Sequence, residues 1–211
     1  RNACSDQISL ACADAYSRLL RPSIETEMRK EYLKTAEEKS IDVFAENLEQ
    51  LLITSRDPAP APNDYLAVSG GIFRDMTIHD FDMANFLMGA TPAYVSAVGS
   101  SIVDAEIGAA GDVDTAVVTL SYADGRIAVI KNSRRAVYGY DQRVELLGSE
   151  GLLQAQNQLE NTVVKSTVDG VTGAKPTYFF LERYMPAYAA EWAAFVTAVK
   201  TGGDLPVTLA D

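Results

Sequence analysis

The chain has 211 residues, enough for one medium domain with a short extension, and its 47% hydrophobic content is ordinary for a chain that buries a core. Its 29 acidic against 18 basic residues give a formal net charge of −11, which disfavours nucleic acid and anionic membrane as partners. No run approaches the roughly 18 apolar residues of a membrane span, and no signal-peptide pattern opens the chain. Cys4 and Cys12 make neither a disulfide framework nor a metal pattern, so a reduced, cytoplasmic setting is expected.

Residues 1–46 are polar and read as a helical extension of unclear origin, with Pro22 in the first turn of a helix running to about Glu38. The chain opens on Arg1 rather than methionine and is expected to be part of something longer. Residues 47–211 read as a second unit. Leu51-Leu52-Ile53-Thr54 is a short apolar run of the kind that forms a buried strand. Ser55-Arg56-Asp57-Pro58 ends it, and the alternating prolines up to Pro62 give an extended loop.

The stretch from Ser69 to Gly89, SGGIFRDMTIHDFDMANFLMG, carries the densest signal. Ser69-Gly70-Gly71 reads as a turn. From Asp75 the pattern is helical, with Met83, Phe86 and Leu87 facing a core and Gly89 as the stop. Helical spacing puts Asp75 and His79, the only histidine, on one face, with Asp82 further along it. A carboxylate beside an imidazole is a common acid–base pair, because it orients the ring and stabilises its protonated form. A helix-start aspartate with an incidental histidine is the plainer reading of Asp-x-x-x-His taken alone. Asp80 points about 100° away around the helix and is expected to matter less.

Strands are expected over Ala93–Ile102 and Val113–Tyr122, with Ala123-Asp124-Gly125-Arg126 as a hairpin turn and Ile127–Ile130 returning. Tyr138-Gly139-Tyr140-Asp141 precedes another strand, Val144–Gly148. Leu152–Ala155 and Thr162–Val168 read as a further hairpin. Tyr184–Lys200 is a helix whose Tyr188, Trp192, Phe195 and Val199 form a core or interface stripe. The fold class is therefore α+β, a largely antiparallel open sheet of about five to seven strands with helices on one face. Valine-rich strands need both faces covered, so a homo-oligomer assembled through the sheet is expected.

The pattern Gly-Gly-x-x-x-Asp-x-x-x-His-x-x-Asp followed by Leu-x-Gly, Gly70 to Gly89 here, resembles the central motif of the Gfo/Idh/MocA oxidoreductases. The full string is similar to the inositol 2-dehydrogenase branch, and the resemblance runs over roughly residues 48–211. In that family a nicotinamide-binding Rossmann domain precedes the α+β domain. No Gly-x-Gly-x-x-Gly occurs in this sequence, so the Rossmann domain is expected to be absent from it and the isolated chain to be inactive. The last helix of the family is also expected to be missing.

The resemblance implies that a ring alcohol of an inositol-like polyol gives its proton to His79 and its hydride to NAD or NADP, with Asp75 supporting the histidine. It also implies substrate contacts just after the first strand, which makes Arg56 and Asp57 candidates for polyol hydroxyls; a surface ion pair is the other reading. The branch has a similar Tyr-Gly-Tyr-Asp. Tyr140, flat and hydroxylated, suits a sugar-like ring or an interface, whereas Tyr138 reads as packing. Glu38-Lys39-Ser40 is similar to the family's Glu-Lys-Pro, whose lysine completes the catalytic trio. Serine replaces proline here, and Lys39 reads better as a solvated helix residue. Two other classes of function stay open: a non-catalytic oligomerisation or polyol-binding module, and a structural remnant without a ligand.

Overall fold

The computed structural model describes residues 47–204. The expected N-terminal helix, Cys4, Cys12 and Lys39 lie outside the described residues, as does the end of the chain after Asp204.

The fold is built around its first strand. β1 (Leu48–Arg56) lies inside a six-stranded sheet of order β2-β3-β4-β1-β5-β6, where β2 is Tyr94–Ser100, β3 Thr115–Ser121, β4 Ile127–Ser133, β5 Asp141–Gly148 and β6 Gly151–Ala155. β1 runs parallel to β4 and antiparallel to β5; every other pairing is antiparallel. The parallel pair is possible because a long crossover separates its strands. That crossover contains α1 (Asn63–Ser69), a π-helical turn (Phe73–Thr77) and α2 (Ile78–Met88), followed by β2 and β3. A short α3 (Ala105–Ala109) joins β2 to β3.

Side chains alternate along a strand, so each strand sorts its residues between two faces. Leu51 and Ile53 of β1, Val118 and Leu120 of β3, Ala128 and Ile130 of β4, and Val144 and Leu146 of β5 share one core. Met83, Ala84 and Met88 of α2 close it, with Tyr184 and Ala187 of α4 (Phe180–Thr201). The opposite face is open: Val98, Val117, Ile127 and Leu147 are exposed. The expected α+β architecture is thus present, with six strands in the main sheet.

The β3–β4 turn forms as expected, with the Gly125 N–H donating to the Tyr122 carbonyl at 3.0 Å. It does a second job. Arg126 Nη1 donates to the Met88 carbonyl at 2.8 Å and so caps the C-terminus of α2. Gly89 closes that helix with φ of 61°, a left-handed conformation that glycine adopts without a Cβ penalty.

Three expectations need correction. The helix does not run regularly from Asp75: a π-helical turn inserts before α2, and within α2 the buried apolar side is Met83, Ala84 and Met88, which leaves Phe86 exposed. The segment 152–155 does not pair with 162–168. β6 returns on β5, while β7 (Val164–Thr167) pairs with β8 (Gly170–Gly173) across Val168-Asp169. Finally, of the two expectations for the stripe on α4, core or interface, the core alternative fails for most of it. Tyr188 packs against the core, but Trp192, Phe195 and Val199 are exposed, and the buried contacts come from Tyr184 and Ala187 in the first turns.

Candidate active site

The C-terminal ends of the two parallel strands bring Asp57 and Arg134 together. Arg56 is in register with Ser133, and the Asp57 N–H donates to the Ser133 carbonyl at 3.1 Å. The π-helical turn and the start of α2 cover this end and contribute Asp75, His79 and Asp80.

His79 is 6% exposed. Burial lowers its pKa to about 3, partly offset by a hydrogen bond from the ring to the Asp75 backbone carbonyl. The ring is therefore neutral at physiological pH. A neutral imidazole that gives its one N–H to a carbonyl presents a lone pair on its other nitrogen.

The structure brings Asp75 and His79 together, but not as a carboxylate–imidazole pair. The Asp75 carboxylate accepts from the Tyr65 hydroxyl at 2.5 Å through Oδ1 and from Arg134 Nη1 at 2.8 Å through Oδ2. Two physical causes operate. The π-helical turn changes the angular relation between residues 75 and 79, and a fully buried guanidinium attracts the charge more strongly than a neutral ring does. Burial and the bond to Asp75 push the Tyr65 phenol above its usual range, so it stays protonated and donates.

Asp57 is half-buried, and its pKa is pushed up to about 6. Burial is the largest cause; Arg134 opposes it and the negative Asp75 adds to it. Asp80, expected to be peripheral, has no exposed surface. Burial raises its pKa to about 7, against the favourable effect of Asn132 and Gln142. Asn132 Nδ2 donates to Asp80 Oδ2 at 2.6 Å, and the Thr77 hydroxyl donates to Asn132 Oδ1 at 2.9 Å. That chain ties β4 to the π-helical turn.

Arg56 goes elsewhere. Its Nη1 donates to the Tyr138 hydroxyl at 2.9 Å and to Asp141 at 3.2 Å, so the ion-pair reading applies to it, with Asp141 rather than Asp57 as the partner. Tyr140 also departs from expectation. It is 5% exposed, its ring lies edge-on to Tyr184 with centroids 5.9 Å apart, and the two hydroxyls are 3.4 Å apart. The accessible aromatic face expected at 140 is a core contact instead. The sequence reading missed Tyr65, Asp112, Asn132 and Arg134. Only Arg134, a charged residue directly after an apolar strand, left a visible signal.

Residues 48–154 match the model of the GFO/IDH/MocA C-terminal domain. The chain belongs to that family. It is 59% identical over 152 residues to the myo-inositol 2-dehydrogenase of Thermotoga maritima, covering 72% of this chain and 46% of the relative. The crystal structure of a myo-inositol dehydrogenase from Corynebacterium glutamicum superposes with a TM-score of 0.72 at 45% identity, over 79% of this chain and 53% of that one. The scyllo-inositol dehydrogenase of Lactobacillus casei, solved with NAD(H) and scyllo-inositol, gives 0.69 at 26% identity, over 81% and 53%. The chain spans about half the length of these relatives.

The Gly70-Gly71 turn does not fit a dinucleotide's phosphates. The glycine pair nearest the site, Gly70-Gly71, lies against an acid: a Cβ on Gly71 would fall 2.8 Å from Asp112 Oδ1. A phosphate cradle needs backbone N–H groups facing an anion without a competing carboxylate. Among the described residues no cluster of metal-ligating side chains occurs, and no helix is long and apolar enough to cross a membrane.

Proposed function

We propose that this chain is the substrate-binding and proton-accepting part of a nicotinamide-linked inositol 2-dehydrogenase. The observation that carries the reading is a buried, neutral His79 held by the Asp75 backbone, on the same crossover whose Asp75 carboxylate meets Arg134 next to Asp57, in a family whose relatives are named for inositol oxidation. A carboxylate accepts hydrogen bonds from vicinal hydroxyls, and Asp57 is the group suited to this role; Arg56 and Tyr140 are committed to Asp141 and to the core. His79 takes the hydroxyl proton of the reacting ring carbon. The burial that keeps the ring neutral also makes it a weak base. The Asp75 carbonyl offsets part of that cost, because imidazolium donates the stronger hydrogen bond. NAD or NADP, when bound by residues outside this site, supplies the hydride acceptor.

The test is oxidation of myo-inositol by this chain joined in frame to the nucleotide-binding half of the Thermotoga maritima relative. His79→Ala should lower kcat by about 10²- to 10⁴-fold. A near-normal kcat would end the assignment, and a loss confined to KM would make His79 a binding group only.

The open, apolar face of the sheet supports a second proposal, self-association through that face. Sedimentation giving only a 22.8 kDa monomer at micromolar concentration would refute it.

A further inference from the structure

Arg134 sits among three acids, Asp57, Asp75 and Asp112, and its surroundings give it a definite task. Its side chain has no exposed surface. Arginine does not deprotonate in proteins, so its charge must be met where it sits. Nη1 meets Asp75 at 2.8 Å, while Nη2 reaches Asp112 only at 3.9 Å. Nε and Nη2 have no hydrogen-bond partner among the described residues. Asp112 is held on its own side by the Ile72 N–H, which donates to Oδ1 at 3.1 Å. Asp75 is held on its other side by Tyr65. Both oxygens of Asp75 are thus occupied before any substrate arrives.

Asp57 differs from both. It adjoins Arg134 through the paired strand ends, and its own backbone supplies the link to β4. The charged and titratable groups that act on it come from every neighbouring element: Arg134 after β4, Asp75 from the π-helical turn, Asp80 from α2 and Tyr65 from α1.

We propose that Arg134 is a positioning residue of the polyol site: with the Tyr65 hydroxyl it clamps Asp75 out of the reaction and biases Asp57 toward the carboxylate that meets a substrate hydroxyl. This rests on the reading above for what Asp57 meets. The clamp itself does not depend on turnover. Because Arg134 favours the charged form of Asp57 and Asp75 opposes it, the two neighbours set in opposite directions the pH at which Asp57 can accept a hydrogen bond.

The experiment is a carbon-detected NMR titration of the Asp57 carboxyl in this chain, assigned with Asp57→Asn. The wild-type midpoint should lie near 6. Arg134→Gln removes the charge and should raise it by at least about one unit. Arg134→Lys restores the charge without the planar fork and should recover most of that shift. A role in folding alone would make the Gln and Lys variants alike, and equal midpoints in these two, or in Gln and wild type, overturn the proposal. If Arg134→Gln does not fold, Asp75→Asn decides. It deletes the neighbouring anion and releases the fork, so the Asp57 midpoint should fall; an unchanged or higher midpoint overturns the proposal. A normal titration series with no polyol oxidation in the joined enzyme would refute the proposed function and leave the clamp standing. A full rate with no coupling between Arg134 and Asp57 would do the reverse.

Discussion

Two carboxylates in this molecule, one buried and one half-buried, have arginine and tyrosine about them, and they end in opposite states. Asp141 accepts from Arg143 Nε at 2.6 Å, from the Tyr138 hydroxyl at 2.5 Å, from Asn157 at 2.7 Å and from Arg56 at 3.2 Å. Burial pushes its pKa up, but these donors outweigh burial and hold it below the usual carboxylate range. At the other centre one arginine serves Asp57, Asp75 and Asp112, and Asp57 is left with its pKa raised. The first cluster is saturated and inert, like any well-paired buried charge. The second is short of cations, and the shortage leaves a group able to change state near neutral pH. An imbalance of this kind, rather than charge density, marks a site for chemistry.

The largest effect that separates the two should come from Asp141→Ala. It leaves Arg56 and Arg143 without their common acceptor, and loss of a buried ion-pair network costs about 3 kcal/mol. Chemical denaturation should show a lower midpoint, with the pH profile of turnover in the joined enzyme unchanged. If that profile moves, the two centres are coupled and the contrast fails.

Asp80→Asn should act in the opposite direction. An acid whose folded pKa is raised contributes stability that is complete below its unfolded value near 4 and is lost as pH climbs through about 7. Removing the charge should therefore stabilise the chain at pH 8 by roughly 1–2 kcal/mol and leave it little changed at pH 4. His79 has the reverse sign, because its folded pKa is depressed: its contribution is complete above about 6.5 and fades as pH falls toward about 3. Thermal melts from pH 4 to 8 check both signs, and a destabilised Asp80→Asn at pH 8 would contradict the assignment.

The smallest expected effect is kinetic. Asp57→Asn can still donate and accept but cannot ionise, so the rise of kcat/KM with pH through about 6 should disappear. KM should increase about tenfold, roughly 1.4 kcal/mol of binding. A KM unchanged at pH 8 would remove Asp57 from the substrate site.

Patterns that repeat locally were legible in the sequence. The apolar run at Leu51–Thr54 marked β1, Asp124-Gly125 marked the β3–β4 turn, and Gly89 marked the end of α2. The motif from Gly70 to Gly89 located His79 and Asp75. The partner of Asp75 was not legible, because Arg134 lies 59 residues away and reaches it only through the crossover between parallel strands. No periodicity encodes such a pairing. Tyr140 was misjudged for a related reason. Tyr138 and Tyr140 would share a side if the strand began at 138, but the Gly139 N–H donates to the Ala136 carbonyl in a turn. Gly139, at φ 127°, also passes so close to Pro176 that a Cβ would lie 2.8 Å from its carbonyl oxygen. That turn breaks the alternation and sends Tyr140 into the core.

The position of β1 has a consequence for how the molecule is made. It is the first strand of the described region, yet both its hydrogen-bonding partners come much later: Ile53 pairs with Ile130 on one side and with Val144 on the other. Contacts so distant along the chain carry a large loop-closure cost and form slowly. The β2–β3–β4 meander can assemble locally, whereas β1 must wait for β4 and β5 before it has a place. Asp57 and Arg134 meet only when that insertion is complete. The site is therefore a late product of folding, and hydrogen-exchange protection of the β1 amides should appear at the same time as the pairing of Asp57 with its neighbours.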